Sequence, residues 1–261
     1  MSYVGKAVRL STLALLAWSA AAGPAQELSE AQYYRLREAM VSRQIRARGV
    51  RNPAVLKAML EVPRHLFVPS ALRSEAYEDY PLPVGGGQTI SQPYIVALMT
   101  QSLALKSGDR VLEVGTGSGY QAAVLSRIVG EVYSVEINAD LADQAARRLK
   151  DLGFGNVRVR TGDGFFGWPE KAPFDGIIVT CAVPETPRPL FEQLAEGRNL
   201  VIPLGPPGSV QELTIITKKR GQPRAEKVLD VRFVPMTGQA EKVKKHRRAG
   251  PDGHLLSAPG L

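Results

Sequence analysis

The chain has 261 residues, a formal charge of +8, one cysteine and an apolar content of 44%. This composition excludes a collagen-like, disulfide-rich or wholly disordered chain, and it predicts one main domain with short appendages. The charge alone would suggest a nucleic-acid partner, but many basic residues lie close to the two ends of the chain, which favours solvated ends and no nucleic-acid groove. These residues are Lys6 and Arg9, and then Lys242, Lys244, Lys245, Arg247 and Arg248.

Residues 1–28 are interpreted as a signal-like or disordered leader. Lys6 and Arg9 precede the apolar run "LSTLALLAWSAAAGPAQ", which ends in small residues as signal peptides do. The run is too short for a comfortable transmembrane helix. A single folded domain is predicted over residues 29–238, and residues 239–261 are predicted to form a basic, disordered tail.

The first part of the domain, residues 29–107, is predicted to be helical. Apolar and polar residues alternate at helical spacing after Ser29, and Gln32 follows that serine in a capping-box pattern. The stretches "EVPRHLFVP" and "AYEDYPLPVGGG" are rich in proline and glycine, so we expect regular structure to stop there. The predicted helices run from Ser29 to Arg48, from Pro53 to Leu60 and from Tyr94 to Leu105.

The second part, residues 108–238, alternates short apolar segments with helical patterns. This alternation predicts a doubly wound α/β fold with a mostly parallel, seven-stranded sheet, counted from the segments quoted below. The last two segments follow each other without a helix, which predicts an antiparallel edge strand. The strand segments are "RVLEV", "EVYSVE", "VRVR", "FDGIIVT", "NLVIPLG", "LTIIT" and "KVLDVRFV", and the helices run from Tyr120 to Val129, Ala139 to Leu152 and Pro187 to Leu194.

Three glycines follow the first of these strands, in "VLEVGTGSGYQ". Gly115, Gly117 and Gly119 lie where an open α/β sheet binds its ligand, and glycine lets a ligand come close to the main chain. A dinucleotide-binding loop would have its third glycine at position 120, which is Tyr120 here. A tight strand-to-helix turn without a ligand is the alternative interpretation.

Three carboxylates are predicted to lie near this loop. Glu113 precedes the first glycine, and Glu136 ends the second strand, where a carboxylate can accept hydrogen bonds from ribose hydroxyls. Asp163, within "GDG", could accept a bond from an exocyclic amine such as that of adenine, although an acid between glycines is otherwise a turn residue. The three acids would repel a pyrophosphate but suit an adenosine that carries positive charge. The pattern therefore favours S-adenosylmethionine, without a metal, over the dinucleotide of an oxidoreductase.

The loop "EVGTGSG", the acid at position 136 and "GDG" resemble the class I S-adenosylmethionine-dependent methyltransferases. The stretches "GQTISQPY", "FDGIIVTCAVPETPRPLFEQL" and "VRFVPMTG" resemble the protein-L-isoaspartate O-methyltransferases, over about Met40 to Gly238. The resemblance implies methyl transfer to the free carboxylate of L-isoaspartyl and D-aspartyl residues in damaged proteins, giving an ester that proceeds through a succinimide. The alternatives are a methyltransferase for RNA or a small molecule, and a non-catalytic binding module of the same fold.

The resemblance also implies roles for individual residues. Ser91 would be the active-site serine, and Gly85 to Gly87 would leave room for the main chain of a peptide substrate, so Gly87 is counted as substrate-binding. A cofactor site would be lined by Gln88, Thr89, Ile90, Thr116, Glu136, Gly162, Asp163 and Thr237, and the substrate would be bordered by Ala182, Val183 and Pro184.

The implied chemistry needs few catalytic groups. A carboxylate is ionised at neutral pH and can attack a sulfonium methyl group without a general base. Two of the three histidines lie in the tail, and no Ser-His-Asp set can be assembled, which disfavours a hydrolase. Ser91 is expected to hold one carboxylate oxygen. Its alternative role is the N-cap of the helix that begins at Pro93. The two roles are compatible.

The sequence gives two opposed signals about location. The leader points to the periplasm, whereas the methyl donor is made in the cytosol, and we expect a cytoplasmic enzyme. We also expect damaged proteins as partners, no nucleic acid, no stable membrane association and a monomeric state.

Overall fold

The computed structural model describes residues 28–206 and 208–242. The predicted leader, apart from Leu28, and the predicted tail beyond residue 242 lie outside the described residues. No helix within the two described ranges is both long and apolar enough to cross a membrane.

The N-terminal part is helical, as predicted. Its first helix begins with the predicted capping box, in which the Gln32 side chain accepts a hydrogen bond from the Ser29 N–H at 2.8 Å and the Ser29 hydroxyl accepts one from the Gln32 N–H. Helical backbone then continues to Arg48, although its second half winds into π-helical and 3-10 turns. The elements are α1 (Glu30–Ala39), a π-helical segment (Met40–Ile45), a 3-10 turn (Arg46–Arg48), α2 (Pro53–Glu61) and α3 (Pro93–Ser102).

The segment between α2 and α3 is more ordered than predicted. We expected no regular structure there, and that prediction is wrong, because the segment forms two 3-10 turns and a β-hairpin. The glycines are the reason for the hairpin. Gly85, Gly86 and Gly87 have φ values of 95°, 57° and 72°, which glycine adopts readily, and Gly86 and Gly87 form the two-residue turn. The elements are 3-10 turns at Arg64–Phe67 and Ser70–Glu75, then β1 (Leu82–Gly85) and β2 (Gln88–Ile90).

Alternating strands and helices form the rest of the domain. The strands are β3 (Arg110–Val114), β4 (Glu131–Glu136), β5 (Val157–Thr161), β6 (Phe174–Val179), β7 (Leu194–Leu204), β8 (Gln211–Lys219) and β9 (Gln222–Val231), and the helices are α4 (Tyr120–Ser126), α5 (Ala139–Asp151) and α6 (Arg188–Gln193). All seven strands belong to one sheet, in the order β5-β4-β3-β6-β7-β8-β9. The first five pair in parallel, and β8 runs antiparallel to both of its neighbours. The predicted fold class is therefore confirmed, with the reversed strand next to the edge strand β9.

The strand order places the glycine loop at the centre of the sheet. The chain moves outward from β3 to β4 and β5, then crosses back to β6 on the other side of β3. In open sheets of this kind, ligands bind in the crevice beyond the carboxyl ends of the strands at this reversal. The N-terminal part covers one face of the same core: Phe67 packs edge-on against Tyr120 of α4, with ring centroids 5.5 Å apart.

Candidate active site

A cavity of about 750 Å³ opens beyond the carboxyl ends of β3, β4 and β6. A cavity of this size can enclose most of a cofactor-sized molecule. Its wall combines the glycine loop, β2 with the turn that follows it, and the segment after β9. Nine of the predicted site residues line it: Gln88, Thr89, Ile90, Ser91, Gly115, Thr116, Gly117, Glu136 and Thr237.

The glycine loop depends on glycine at its first position. Gly115 has a φ of 96°, and a Cβ added there would lie 2.4 Å from Thr180 Oγ1. The Thr180 hydroxyl donates a hydrogen bond to the Gly115 carbonyl at 2.7 Å, so the contact is built into the loop. Without a side chain at position 115, the main chain of the loop lies close to the residue that follows β6 and lines the cavity.

Glu136 lies in the cavity wall with both oxygens held by main-chain groups. The Gly117 N–H donates to Oε2 at 2.9 Å and the Asn138 N–H donates to Oε1 at 3.1 Å, and the residue is only 6% exposed. Each oxygen keeps a lone pair for a ligand hydroxyl. Because the Gly117 N–H is bonded to a carboxylate, it is not available to a phosphate, so this loop fits an adenosine without a pyrophosphate.

Glu113 lies behind the glycine loop and does not line the cavity. It is fully buried, its Oε2 accepts a hydrogen bond from the Ser134 hydroxyl, and Ser134 Oγ lies 2.6 Å from Thr116 Oγ1 in the loop. Burial, helped by the nearby Glu136 and opposed by the bond from Ser134, raises the pKa of Glu113 to about 8. Glu113 therefore reaches the glycine loop only through Ser134 and Thr116, and its side chain does not lie at the cavity surface, where the predicted cofactor contact would require it.

Asp163 also lies beside the cavity wall. Its Oδ1 accepts a hydrogen bond from the Phe165 N–H at 3.0 Å, and its Oδ2 accepts one from the Gln239 N–H at 2.7 Å. A Cβ on Gly238 would lie 2.5 Å from Oδ2, so this glycine permits the approach. Asp163 therefore fastens the segment that carries Thr237 to the end of β5.

The other predicted residues surround the cavity. Ala182 donates to the Val234 carbonyl at 2.8 Å and accepts from the Met236 N–H at 2.9 Å, so it supports a wall segment from behind. Val183 is buried and bridges to Leu204, while Pro184 is exposed. Outside the wall lie Gly87 in the hairpin turn, Gly119 at the start of α4, Gly162 after β5, and Ala182, Val183 and Pro184.

Ser91 is half-buried and faces the cavity directly before α3. The N-cap of α3 is Gln92, and no side chain caps this helix, so the alternative role of Ser91 as an N-cap is wrong. Within the described residues the Ser91 hydroxyl has no hydrogen-bond partner. It is free to bind a ligand at the positive end of a ten-residue helix, where an anion is favoured.

Several lining residues were not found from the sequence. Ile137 follows Glu136 directly and Gln92 follows Ser91, so both lie beside recognised positions. Cys181 directly precedes the predicted Ala182, and Arg232, in the segment after β9, is the one cation that the described residues place in the wall. Burial, with smaller effects from Glu136 and Asp163, raises the pKa of the Cys181 thiol to about 12.

The described residues contain no group of three side chains that could hold a metal ion. Their one histidine, His65, is bonded to the Tyr77 hydroxyl at 2.7 Å and to Glu30 Oε1 at 3.2 Å, and it stacks on Tyr33. These contacts engage both of its ring nitrogens. His65 is not among the residues of the cavity wall.

Comparisons with known proteins identify a matching family and similar relatives. The family model for protein-L-isoaspartate(D-aspartate) O-methyltransferase matches residues 35–241. Protein-L-isoaspartate O-methyltransferase 2 of Anaeromyxobacter sp. strain Fw109-5 is 52% identical over 235 residues, which cover 87% of this chain and 96% of that protein. Protein-L-isoaspartate O-methyltransferase of Opitutus terrae is 54% identical over 229 residues, covering 88% of this chain and 97% of that one.

Two solved structures are similar in fold. One is a protein-L-isoaspartate O-methyltransferase with a TM-score of 0.72 and 34% identity, and the match covers 81% of this chain and 69% of the other. The second is a beta-aspartate methyltransferase (PCMT) from Plasmodium falciparum in complex with S-adenosyl-L-homocysteine. It has a TM-score of 0.67 and 28% identity, and the match covers 78% of this chain and 98% of the other.

Proposed function

The chain belongs to the protein-L-isoaspartate(D-aspartate) O-methyltransferase family, and we propose that Ser91 is the catalytic residue with which it positions the carboxylate of its substrate. The enzyme methylates the free carboxylate of L-isoaspartyl and D-aspartyl residues in damaged proteins, with S-adenosylmethionine as donor. The methyl ester then proceeds through a succinimide. The observation that carries the role of Ser91 is that it lines the cavity directly before α3, while its hydroxyl bonds to none of the described residues.

The cofactor supplies a methyl group on positively charged sulfur. The substrate carboxylate is already ionised at neutral pH, so this chain needs no general base. Its task is to hold one carboxylate oxygen, remove water and align the other oxygen with the methyl group, since orientation can lower a barrier by about 7 to 11 kcal/mol. Ser91 donates to the first oxygen in this proposal, and the positive end of α3 favours the anion.

We assign the cofactor to the half of the cavity that contains the glycine loop. Glu136 would accept bonds from the ribose hydroxyls, and Gln88, Thr89 and Ile90 would cover the donor from β2. Glu113 and Asp163 would act indirectly, the first through Thr116 and the second by fastening the segment with Thr237. The remaining cofactor assignments are the main-chain positions Gly115, Gly117, Gly119 and Gly162.

We assign the peptide substrate to the outer part of the cavity, near the β1–β2 hairpin. Gly87 would leave space for its main chain, and Ala182, Val183 and Pro184 would shape this side from behind. We further propose a cytoplasmic enzyme, because the methyl donor is made there, that acts as a monomer without nucleic-acid or membrane partners. An RNA or small-molecule substrate is not supported by the relatives.

The test measures labelled methyl transfer to two peptides that differ only in L-isoaspartyl against L-aspartyl at one position. Ser91→Ala should lower turnover on the isoaspartyl peptide roughly a hundredfold, the scale of lost transition-state alignment. Its affinity for S-adenosylhomocysteine, measured by calorimetry, should stay near the wild-type value. Ser42→Ala, which removes an exposed hydroxyl on the π-helical segment, is the control. Equal losses of turnover and affinity in Ser91→Ala would refute the role of Ser91.

A further inference from the structure

Gln92, which follows Ser91 in the chain, connects the turn before α3 to Asp79 in the segment before the β1–β2 hairpin. The Gln92 side-chain amide donates hydrogen bonds to Asp79 Oδ1 at 2.8 Å and to the Asp79 main-chain carbonyl at 2.9 Å. Gln92 lines the same cavity as Ser91 and is joined to it by one peptide bond. A shift of the Gln92 main chain would therefore be passed to Ser91 through this peptide bond.

Asp79 is itself held by the N-terminal part of the chain. Arg48 Nη1 donates to Asp79 Oδ2 at 2.9 Å and to Oδ1 at 3.2 Å. The guanidinium also lies over the ring of Tyr94, 3.7 Å from its centroid. Tyr94 belongs to the first turn of α3. The start of this helix is therefore contacted twice, by Arg48 at Tyr94 and by Asp79 at Gln92. We call these four residues, Arg48, Asp79, Gln92 and Tyr94, the serine brace.

The ion pair of Arg48 and Asp79 differs from an ordinary surface ion pair in its location. The side chains of Arg48 and Asp79 are 42% and 43% exposed, so solvent screens them and their contribution to stability is small. A matched pair occurs elsewhere: Arg110 and Glu131 are 42% and 45% exposed and lie at the amino ends of β3 and β4. Among the described residues, the hydrogen bonds and ion pairs of Arg110 and Glu131 reach no residue of the cavity wall, whereas Asp79 bonds to Gln92 within it.

We propose that Asp79 is a positioning residue, which holds Gln92 so that the Ser91 hydroxyl is directed at the substrate carboxylate. This inference rests on the proposed role of Ser91. It also gives the N-terminal helical part a task in catalysis, because Arg48 at its end holds Asp79 in place. The expected consequence is slower turnover without loss of cofactor binding or of stability when Asp79 is removed.

The test combines Asp79 variants with Ser91→Ala in a double-mutant cycle. Asp79→Ala removes the carboxylate that Gln92 and Arg48 share, and kcat on the isoaspartyl peptide should fall roughly tenfold. KM for S-adenosylmethionine and the melting temperature should stay near wild-type values. Asp79→Asn keeps an acceptor for Gln92 and should recover most of the rate. Glu131→Ala breaks the matched ion pair and should leave turnover unchanged.

The Ser91→Ala background separates the possible outcomes. If Asp79 acts through Ser91, adding Asp79→Ala to Ser91→Ala should cost less than about twofold. A full tenfold loss in that background, or no loss from Asp79→Ala in the wild type, would overturn the inference. If Ser91→Ala turns over normally, the proposed function of Ser91 fails and the inference fails with it. If Ser91→Ala is slow while Asp79→Ala is not, only the inference about Asp79 fails.

Discussion

Replacing Glu113 by glutamine should change how the stability of the enzyme depends on pH. Glu113 is fully buried, and burial raises its pKa to about 8, whereas its value in an unfolded chain is near 4.5. Between these values the folded state keeps a proton that the unfolded state releases, so the free energy of unfolding falls as pH rises. The slope from this one group is about 1.4 kcal/mol per pH unit, or about 3 kcal/mol from pH 5.5 to 7.5. The loss levels off above pH 8, as Glu113 becomes ionised in the folded enzyme as well.

Urea unfolding followed by circular dichroism at pH 5.5, 6.5 and 7.5 measures this effect. Glu113→Gln cannot titrate, so its stability relative to the wild type should rise by about 3 kcal/mol across the range, while contributions from other groups cancel in the difference. Glu226→Gln alters an exposed carboxylate and should give a flat difference. A flat difference for Glu113→Gln as well would show that Glu113 is ionised in the folded enzyme and would refute the argument from burial.

Three further predictions follow from the cavity and the core. Gly115→Ala should weaken binding of S-adenosylhomocysteine by at least about tenfold. The added Cβ would lie 2.4 Å from Thr180 Oγ1, in a backbone conformation that favours glycine. Unchanged affinity in calorimetry would contradict this prediction. Phe174→Ala should lower the free energy of unfolding by about 3 to 5 kcal/mol, since the side chain is fully buried in the core, and a loss below about 1 kcal/mol would mean that the site collapses around the change. Cys181 should resist iodoacetamide at pH 8 in the folded enzyme and react in urea, because burial raises the pKa of its thiol to about 12. Rapid modification of the folded enzyme, measured by mass spectrometry, would contradict this prediction.

The strands and helices of the domain could be predicted because their apolar patterns are strong. The amphipathic pattern of α5, for example, buries Leu141, Ala145 and Leu149 on one face. The β1–β2 hairpin could not be predicted in the same way, because its strands are very short and its glycines looked like a simple interruption. Positive φ at Gly85 to Gly87 turns that interruption into a structured element.

The prediction of the candidate site was most successful for residues that lie at the carboxyl end of a strand or directly after it. Gly115 and Glu136 line the cavity as expected, because the carboxyl ends of parallel strands meet at one edge. Glu113 was placed too close to the ligand, since both faces of a central parallel strand are buried and the sequence does not tell which side chain faces the crevice. Asp79 had no signal, because its contact with Arg48 joins segments far apart in the chain.

The edge strand β9 has a consequence for an enzyme whose substrates are damaged proteins. Such proteins expose extended segments, and an open sheet edge could take one up as an additional strand and retain it. β9 contains Pro223, which has no N–H to donate, and a run of exposed charged residues of both signs: Arg224, Glu226, Lys227 and Asp230. These features hinder strand addition. β9 is therefore a poor template for the extended segments of a partly unfolded substrate protein.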